Sequence, residues 1–167
     1  MVGFELSNGG GGGGEHEGGA RPPPPLIYLA FLILGLAVNL FYPLPFWSTG
    51  TLVPLLLGLG IVLGGLAIGG FGLRAMMRAG VSPLPWKAPG RLVTDGPFQY
   101  SRNPLYLSLA LIYLGLSVAL NTIWPLGLLV FALVIVDRGV IREEERYLEK
   151  RFGEEYQSYK LKVRRWV

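Results

Sequence analysis

The stretch NPLYLSLALIYLGLSVALNTIWPLGLLVFALVIV, residues 103–136, contains no Asp, Glu, Lys, Arg or His. A helix exposed to water carries a charged or polar stripe at its helical period, and no register of this stretch supplies one. An uncharged apolar run of about 18 or more residues reads as membrane-spanning. Asn121-Thr122 is a turn signal inside the stretch, and Pro104 and Pro125 each suit the first turn of a helix. The stretch therefore reads as two spans joined by a tight turn, about 104–120 and 123–136. Residues 26–73 are equally free of charge. Pro43 and Pro45 divide them, because proline lacks an amide donor and clashes with the preceding turn. That gives two earlier spans, about 26–42 and 52–77. The expected fold is all-α: an integral membrane protein of four transmembrane helices with a cytoplasmic, amphipathic C-terminal helical extension.

The second span contains Gly60-x-x-x-Gly64 and Gly65-x-x-x-Gly69. Small residues at that spacing let helix backbones approach closely, and we expect both pairs to serve helix packing. A nucleotide-binding loop would need a Gly-x-Gly-x-x-Gly after a strand, and neither is there. Residues 137–152 have no proline and no glycine other than Gly139. The fourth span is expected to run unbroken into a charged helix ending near Arg151.

The 167 residues suit one domain, 26–167, behind a Gly/Pro-rich N-terminal segment, 1–25. That segment is too poor in apolar side chains to offset its ordering entropy, so disorder is expected, with Pro22–Pro25 as a polyproline II stem. A signal peptide over 21–42 would need a basic start and a small-residue cleavage site. Only Arg21 is basic and Tyr42-Pro43-Leu44-Pro45 offers no such site, so an uncleaved helix is expected. There is no cysteine, and His16 is the single histidine. Disulfides, thiolate nucleophiles and Cys-ligated metals are excluded, and a His-based metal site or catalytic triad is not expected.

The formal net charge is +4. Its basic residues flank the apolar runs, which points to anionic membrane lipids as partners and not to nucleic acid. The loop 74–102 holds five Lys/Arg against one Asp, and residues 138–167 hold nine Lys/Arg. The loop 43–51 and the turn 121–122 are uncharged. The positive-inside rule places the charged loop, the C-terminal segment and the N-terminus in the cytoplasm. The expected location is integral to a membrane, with both termini on its cytoplasmic side.

Two polar segments border these runs, and both would face the same side. In the second, Ile141, Glu145, Leu148, Phe152, Tyr156, Tyr159, Val163 and Trp166 recur at steps of three and four, which makes one face of an amphipathic helix. Glu145 is the only carboxylate on that face and must find a cation or donors to be buried. A solvated charge run, with pairs among Arg142, Glu143, Glu144, Glu145 and Arg146, is the plainer reading of the same residues. In the first segment, Asp95-Gly96-Pro97 is a turn signature. Phe98, Tyr100 and Arg102-Asn103-Pro104 read either as interfacial anchors or as ligand contacts. Arg138 lies close to the membrane, where a cation is either an anchor or functional, and Asp137 can pair with a nearby arginine. Asn39 and Asn121 read as packing and turn residues.

Leu92-Val93-Thr94-x-Gly96-Pro97-Phe98-x-Tyr100-x-Arg102-Asn103-Pro104-x-Tyr106 resembles the loop signature of the isoprenylcysteine carboxyl methyltransferase and phospholipid methyltransferase superfamily. Glu144-Glu145-x-x-Leu148-x-x-x-Phe152-Gly153-x-Glu155-Tyr156-x-x-Tyr159 is similar to its C-terminal signature. The likeness covers about residues 91–167, with motifs at 91–106 and 142–159, and the short plan resembles prokaryotic members. It implies a membrane methyltransferase that uses S-adenosylmethionine. Carried over residue by residue, Tyr100, Arg102, Asn103, Pro104, Tyr106, Glu144 and Glu145 would bind that cofactor, and Arg138 and Tyr106 would be catalytic. Many members have histidine where this chain has Asn103, and asparagine cannot titrate as histidine does. Residues 78–91 match no pattern. The cofactor's sulfonium and ammonium suit carboxylates and aromatic faces, and its carboxylate suits Arg102. The resemblance leaves the acceptor open among carboxyl O-, N- and S-methylation of a lipidic or apolar molecule. The competing class is a non-catalytic membrane scaffold or assembly protein built on the glycine-rich span. A sterol-reductase-like protein is a further alternative that the short length disfavours.

Overall fold

The computed structural model describes residues 23–48, 50–82 and 90–167. Residues 1–22, for which disorder was expected, lie outside the described residues, as do 83–89 within the unmatched segment 78–91. The described residues are all-helical, with no strand. Helix α1 spans Pro24–Phe41, α2 Val53–Arg78, α3 Pro104–Ala119, α4 Ile123–Val136, α5 Arg142–Phe152 and α6 Glu154–Lys162. A 3-10 turn, Gly96–Gln99, precedes α3, and a π turn, Asp137–Ile141, joins α4 to α5. By length and composition Pro24–Phe41, Val53–Arg78 and the continuous run Ile123–Phe152 can each cross a membrane, and Pro104–Ala119 is a shorter apolar helix.

The proline stem is shorter than expected. Pro23 has polyproline-like angles, φ −57 and ψ 141, but Pro24 already opens α1. Proline costs nothing in a first turn, where its missing amide would have had no intrahelical partner. Leu55, Leu56, Leu59, Leu63 and Phe71 on α2 are exposed, as are Val130, Phe131 and Val134 on α4. An apolar surface this continuous is stable only against lipid or another apolar partner.

Helices α2 and α3 make the most extensive contact in the molecule. The glycines that permit it are Gly58, Gly65, Gly69 and Gly72, not both expected pairs. A Cβ on Gly58 would strike the Ala119 and Gly115 backbone, and one on Gly69 would sit 2.5 Å from Ser108 Oγ. Gly60 and Gly64 face open space. At about 100° per residue, 58, 65, 69 and 72 share one face, whereas 60 lies on the opposite side from 58. Ser108 Oγ donates to Gly65 O across this contact (2.8 Å), so its hydroxyl is not left bare in the apolar layer. Helix α1 crosses α4 where a Cβ on Gly35 would lie 2.6 Å from Pro125 Cα.

The two uncharged turns bind one another. Asn121 adopts φ 50, accepts from Trp47 N (2.9 Å) and donates to Trp47 O (3.0 Å). Thr122 Oγ1 donates to Asn39 Oδ1 (2.8 Å) and Trp124 Nε1 to Tyr42 O (2.7 Å). Asn39 and Asn121 are thus packing and turn residues, as expected.

The fourth span runs unbroken through the π turn into the charged helix α5 and ends at Phe152, as expected; the break falls after it. Gly153, at φ 51 and ψ −122, separates α5 from α6, and the chain turns back after Lys162. The eight residues of the expected face remain inward nonetheless: Ile141, Glu145, Tyr156, Tyr159 and Val163 are buried and Leu148, Phe152 and Trp166 partly so. The glycine break redirects the helix, and the apolar side chains follow it onto the end of the bundle.

Candidate functional site

The site forms where the segment before α3, the π turn, α5 and residues 163–167 converge. Residues 163–167 lie against the signature loop. Arg102 N donates to Arg164 O (3.0 Å), and Arg165 O accepts from Ser101 Oγ (3.3 Å) and Asn103 Nδ2 (3.1 Å). Ser101 Oγ also accepts from Asn103 N (3.1 Å), which sets the backbone just ahead of Pro104. Tyr159 holds the same loop from α6, donating its hydroxyl to Phe98 O (2.6 Å). Burial pushes the Tyr159 hydroxyl pKa up, with Tyr156 adding to the shift, so it stays a donor at all ordinary pH. Both signatures are tied together by backbone carbonyls before any charge is considered.

Glu145 is 5% exposed and sits between two guanidiniums. Arg102 Nη2 lies 3.1 Å from its Oε1. Arg165 grips it with two hydrogen bonds, Nη2 to Oε2 at 2.6 Å and Nε to Oε1 at 3.1 Å. The remaining Arg165 nitrogen, Nη1, reaches both oxygens of Asp137 at 3.2 Å. Trp166 Nε1 donates to Asp137 Oδ1 (3.1 Å), and Arg142 Nε stands 4.0 Å from Oδ2. A paired Arg–carboxylate fork of this kind is strong and directional. Its hydrogen bonds to Glu145, and the fields of Glu145 and Asp137, hold the Arg165 pKa above its ordinary value against the opposing effect of burial. Asp137 and Glu145 together balance Arg102 and Arg165, so a mostly buried cluster of four charges is neutral.

Glu145 was expected to need a cationic partner, and it has two. Arg165 was not singled out in the sequence. It falls beside Trp166 on the tail, off the apolar face, and no local pattern ties it to a carboxylate twenty positions earlier.

Glu144, one residue before, has a different environment. Its Oε2 accepts from Tyr106 Oη (2.9 Å) at the exposed side of the cluster. Arg102 completes the picture. Its side chain is 8% exposed, yet Nε and Nη1 are buried with no acceptor among the described residues. A buried guanidinium with donors left over lacks an acceptor oxygen, and a carboxylate is the group that fits its fork. An exposed carboxylate on Tyr106 and a guanidinium with spare donors, borne on neighbouring signature residues, match the ammonium and carboxylate of an amino acid moiety. On this observation the residues fit S-adenosylmethionine.

Arg102, Asn103, Tyr106, Glu144 and Glu145 are thus brought together, and Pro104, which opens α3 next to Asn103, is fully buried. Tyr100 and Arg138 are not in the cluster. Tyr100 is 75% exposed and lines a cleft on the α2 side of the loop. Arg138 is exposed on the π turn and makes no ion pair with another described residue.

Comparison with known proteins bears on this arrangement. A family model for phospholipid methyltransferases matches residues 53–155. An uncharacterized protein of Haemophilus influenzae is 50% identical over 64 residues, covering 38% of this chain and 100% of that protein. The cobalt-zinc-cadmium resistance protein CzcN of Cupriavidus metallidurans is 32% identical over 108 residues, 65% of this chain. The chain spans about half of that relative, 47% of its length. No solved structure matches.

Proposed function

The chain belongs to the phospholipid methyltransferase family, and from that premise we propose that it is a membrane enzyme that transfers a methyl group from S-adenosylmethionine to a lipidic or apolar acceptor. The observation that carries the reading is the Arg102 guanidinium, buried with two unused donors on the same signature whose Tyr106 hydroxyl holds Glu144. Arg102 holds the cofactor carboxylate, Glu144 its ammonium, and Asn103, Pro104 and Tyr106 the wall between them. Glu145 acts through Arg102: it fixes the guanidinium in place and is itself fixed by Arg165. S-adenosylmethionine bound there supplies an electrophilic methyl group on a cationic sulfur.

The protein's own contribution is alignment and exclusion of water. An acceptor carboxylate attacks without a base. An amine or thiol must first lose a proton, and the described residues hold no histidine to take it. Glu145 is committed to two arginines and Glu144 to the cofactor ammonium, so neither carboxylate of the cluster serves as that base. Arg138, exposed on the π turn, faces the acceptor side and orients its polar group. The four apolar helices cross the bilayer, with the N-terminus, the loop 74–102 and the C-terminal helices in the cytoplasm, so the acceptor enters laterally from lipid.

The test is direct. The purified full chain in detergent is titrated with S-adenosylmethionine by calorimetry. Saturable binding that Arg102→Lys abolishes is expected, because lysine keeps the charge for Glu145 but loses the fork. No binding by the parent chain ends the enzyme reading and leaves that of a membrane scaffold. The acceptor class follows from incubating membranes with methyl-labelled cofactor and separating the labelled lipids; an ester product releases labelled methanol in base, and amine and thioether products, both stable to base, are distinguished by mass spectrometry.

A further inference from the structure

The α2 side of the signature loop holds a second feature that the methyl-transfer reading does not use. A cleft of about 670 Å³ lies between the end of α2 and the segment before α3, lined by Ile68, Phe71, Arg74, Arg78, Arg91 and Asp95 among others. Of the seven residues assigned to the cofactor, only Tyr100 reaches it.

Arg74 and Arg78 are one helical turn apart, so they rise from the same face of α2. Ile68 and Phe71 occupy that face one to two turns earlier, and Phe71 is 62% exposed. Over roughly 15 Å of helix the face passes from apolar to basic. Arg91 enters from the loop and closes the group. Three guanidiniums then share one carboxylate, Asp95, and among the described residues none of the three forms an ion pair. Like charges gathered this way repel unless an anion joins them.

An occupant must satisfy both halves of the cleft. A free inorganic anion would pair with the arginines and leave Ile68 and Phe71 wet. A molecule with a phosphate at one end and a hydrocarbon chain at the other meets both, and basic clusters at the end of an apolar helix sit at headgroup depth. We infer that this cleft binds an anionic bilayer phospholipid, its headgroup phosphate on Arg74, Arg78 and Arg91 and an acyl chain along Ile68 and Phe71. Because Arg91, Gly96 and Pro97 come from the loop and the other arginines from α2, the bound lipid clamps the signature loop to the bundle.

The experiment uses the full chain, purified in detergent and stripped of native lipid. It is titrated with phosphatidylglycerol, phosphatidylcholine or inorganic phosphate while bound lipid is counted by mass spectrometry and the thermal midpoint is followed. Phosphatidylglycerol is expected to bind saturably and raise the midpoint; the other two are expected to do neither. Arg78→Gln should weaken phosphatidylglycerol binding about fivefold, and the triple variant R74Q/R78Q/R91Q on the order of a hundredfold, at about one headgroup contact per arginine. S-adenosylmethionine binding should be unchanged in both. Equal uptake of phosphatidylcholine, displacement of lipid by inorganic phosphate, or unchanged affinity in Arg78→Gln overturns the proposal. So does loss of cofactor affinity in the variants, which would make the cleft part of the cofactor site. A parent chain that binds no S-adenosylmethionine leaves the lipid result to stand or fall alone.

Discussion

Removing the Glu145 carboxylate would leave Arg102 and Arg165 facing each other across a mostly buried space with only Asp137 to balance them. Breaking a buried pair from one side typically costs about 3 kcal/mol, because the remaining charge stays desolvated. Glu145→Ala should therefore lower the thermal midpoint in detergent as well as weaken S-adenosylmethionine binding by about tenfold, the loss expected for one charge-assisted contact. A midpoint equal to that of the parent chain would show that the carboxylate is not under this load. Tyr106→Phe isolates the other carboxylate. It deletes the 2.9 Å hydrogen bond to Glu144 and leaves the ring in place. The expected effect is a five-fold or so loss of cofactor affinity, about 1 kcal/mol, with stability unchanged. An equal fall in stability would reassign the pair to structure. The two substitutions separate a carboxylate that organises arginines from one that stands ready for a ligand.

At the scale of elements, α2 carries glycines on more than one face, and only one of those faces is used. Gly69→Leu is expected to separate α2 from α3, since a Cβ there would already meet Ser108 Oγ at 2.5 Å. Overpacking of this kind costs about 1–3 kcal/mol or more. Gly60→Leu points into open space and should leave the thermal midpoint where it is. If both variants melt alike, the α2–α3 contact is not what stabilises the bundle. The spacing rule alone selected Gly60, Gly64, Gly65 and Gly69. Which pair serves depends on where α3 lies, and α3 is placed by Ser108, Gly115 and Ala119, residues far along the chain. The same limit applies to the C-terminal helices. The inward face from Ile141 to Trp166 was legible as a three-four repeat. The π turn at Asp137–Ile141 and the bend at Gly153 were not, although a glycine in a charged helix is a signal that could have prompted the second. The π turn matters to the site, for it brings Asp137 round to Arg165 and Trp166.

For the whole molecule, the expected arrangement in the bilayer can be read chemically because the chain has no cysteine. Leu161→Cys, at a residue 90% exposed in α6, should react with a membrane-impermeant maleimide only after cells are opened. Phe46→Cys, in the uncharged loop between α1 and α2, should react in intact cells. The reverse pattern would invert the topology, and labelling of both from outside would place α6 and that loop on one side of the membrane. The outcome decides whether the shorter helix α3 completes a fourth crossing. In either orientation the Arg102–Glu145 cluster and the arginine cleft lie at the same end of the bundle, one on each side of the signature loop.

The sequence by itself determined the helical, membrane-embedded character of this protein, because charge-free runs and three-four repeats are local and the cost of burying charge in lipid is high wherever it occurs. It also marked Glu145 as a carboxylate that must be partnered. Only the tertiary structure decided the partners. Arg102 and Arg165 flank Glu145 from positions 43 residues before it and 20 residues after it. Nothing periodic links those positions. They meet because Gly153 turns the chain and residues 163–167 return along the loop, satisfying the backbone donors of Arg102 and the side chains of Ser101 and Asn103. Local pattern sets which residues must be buried, and the return of the chain sets what they are buried against.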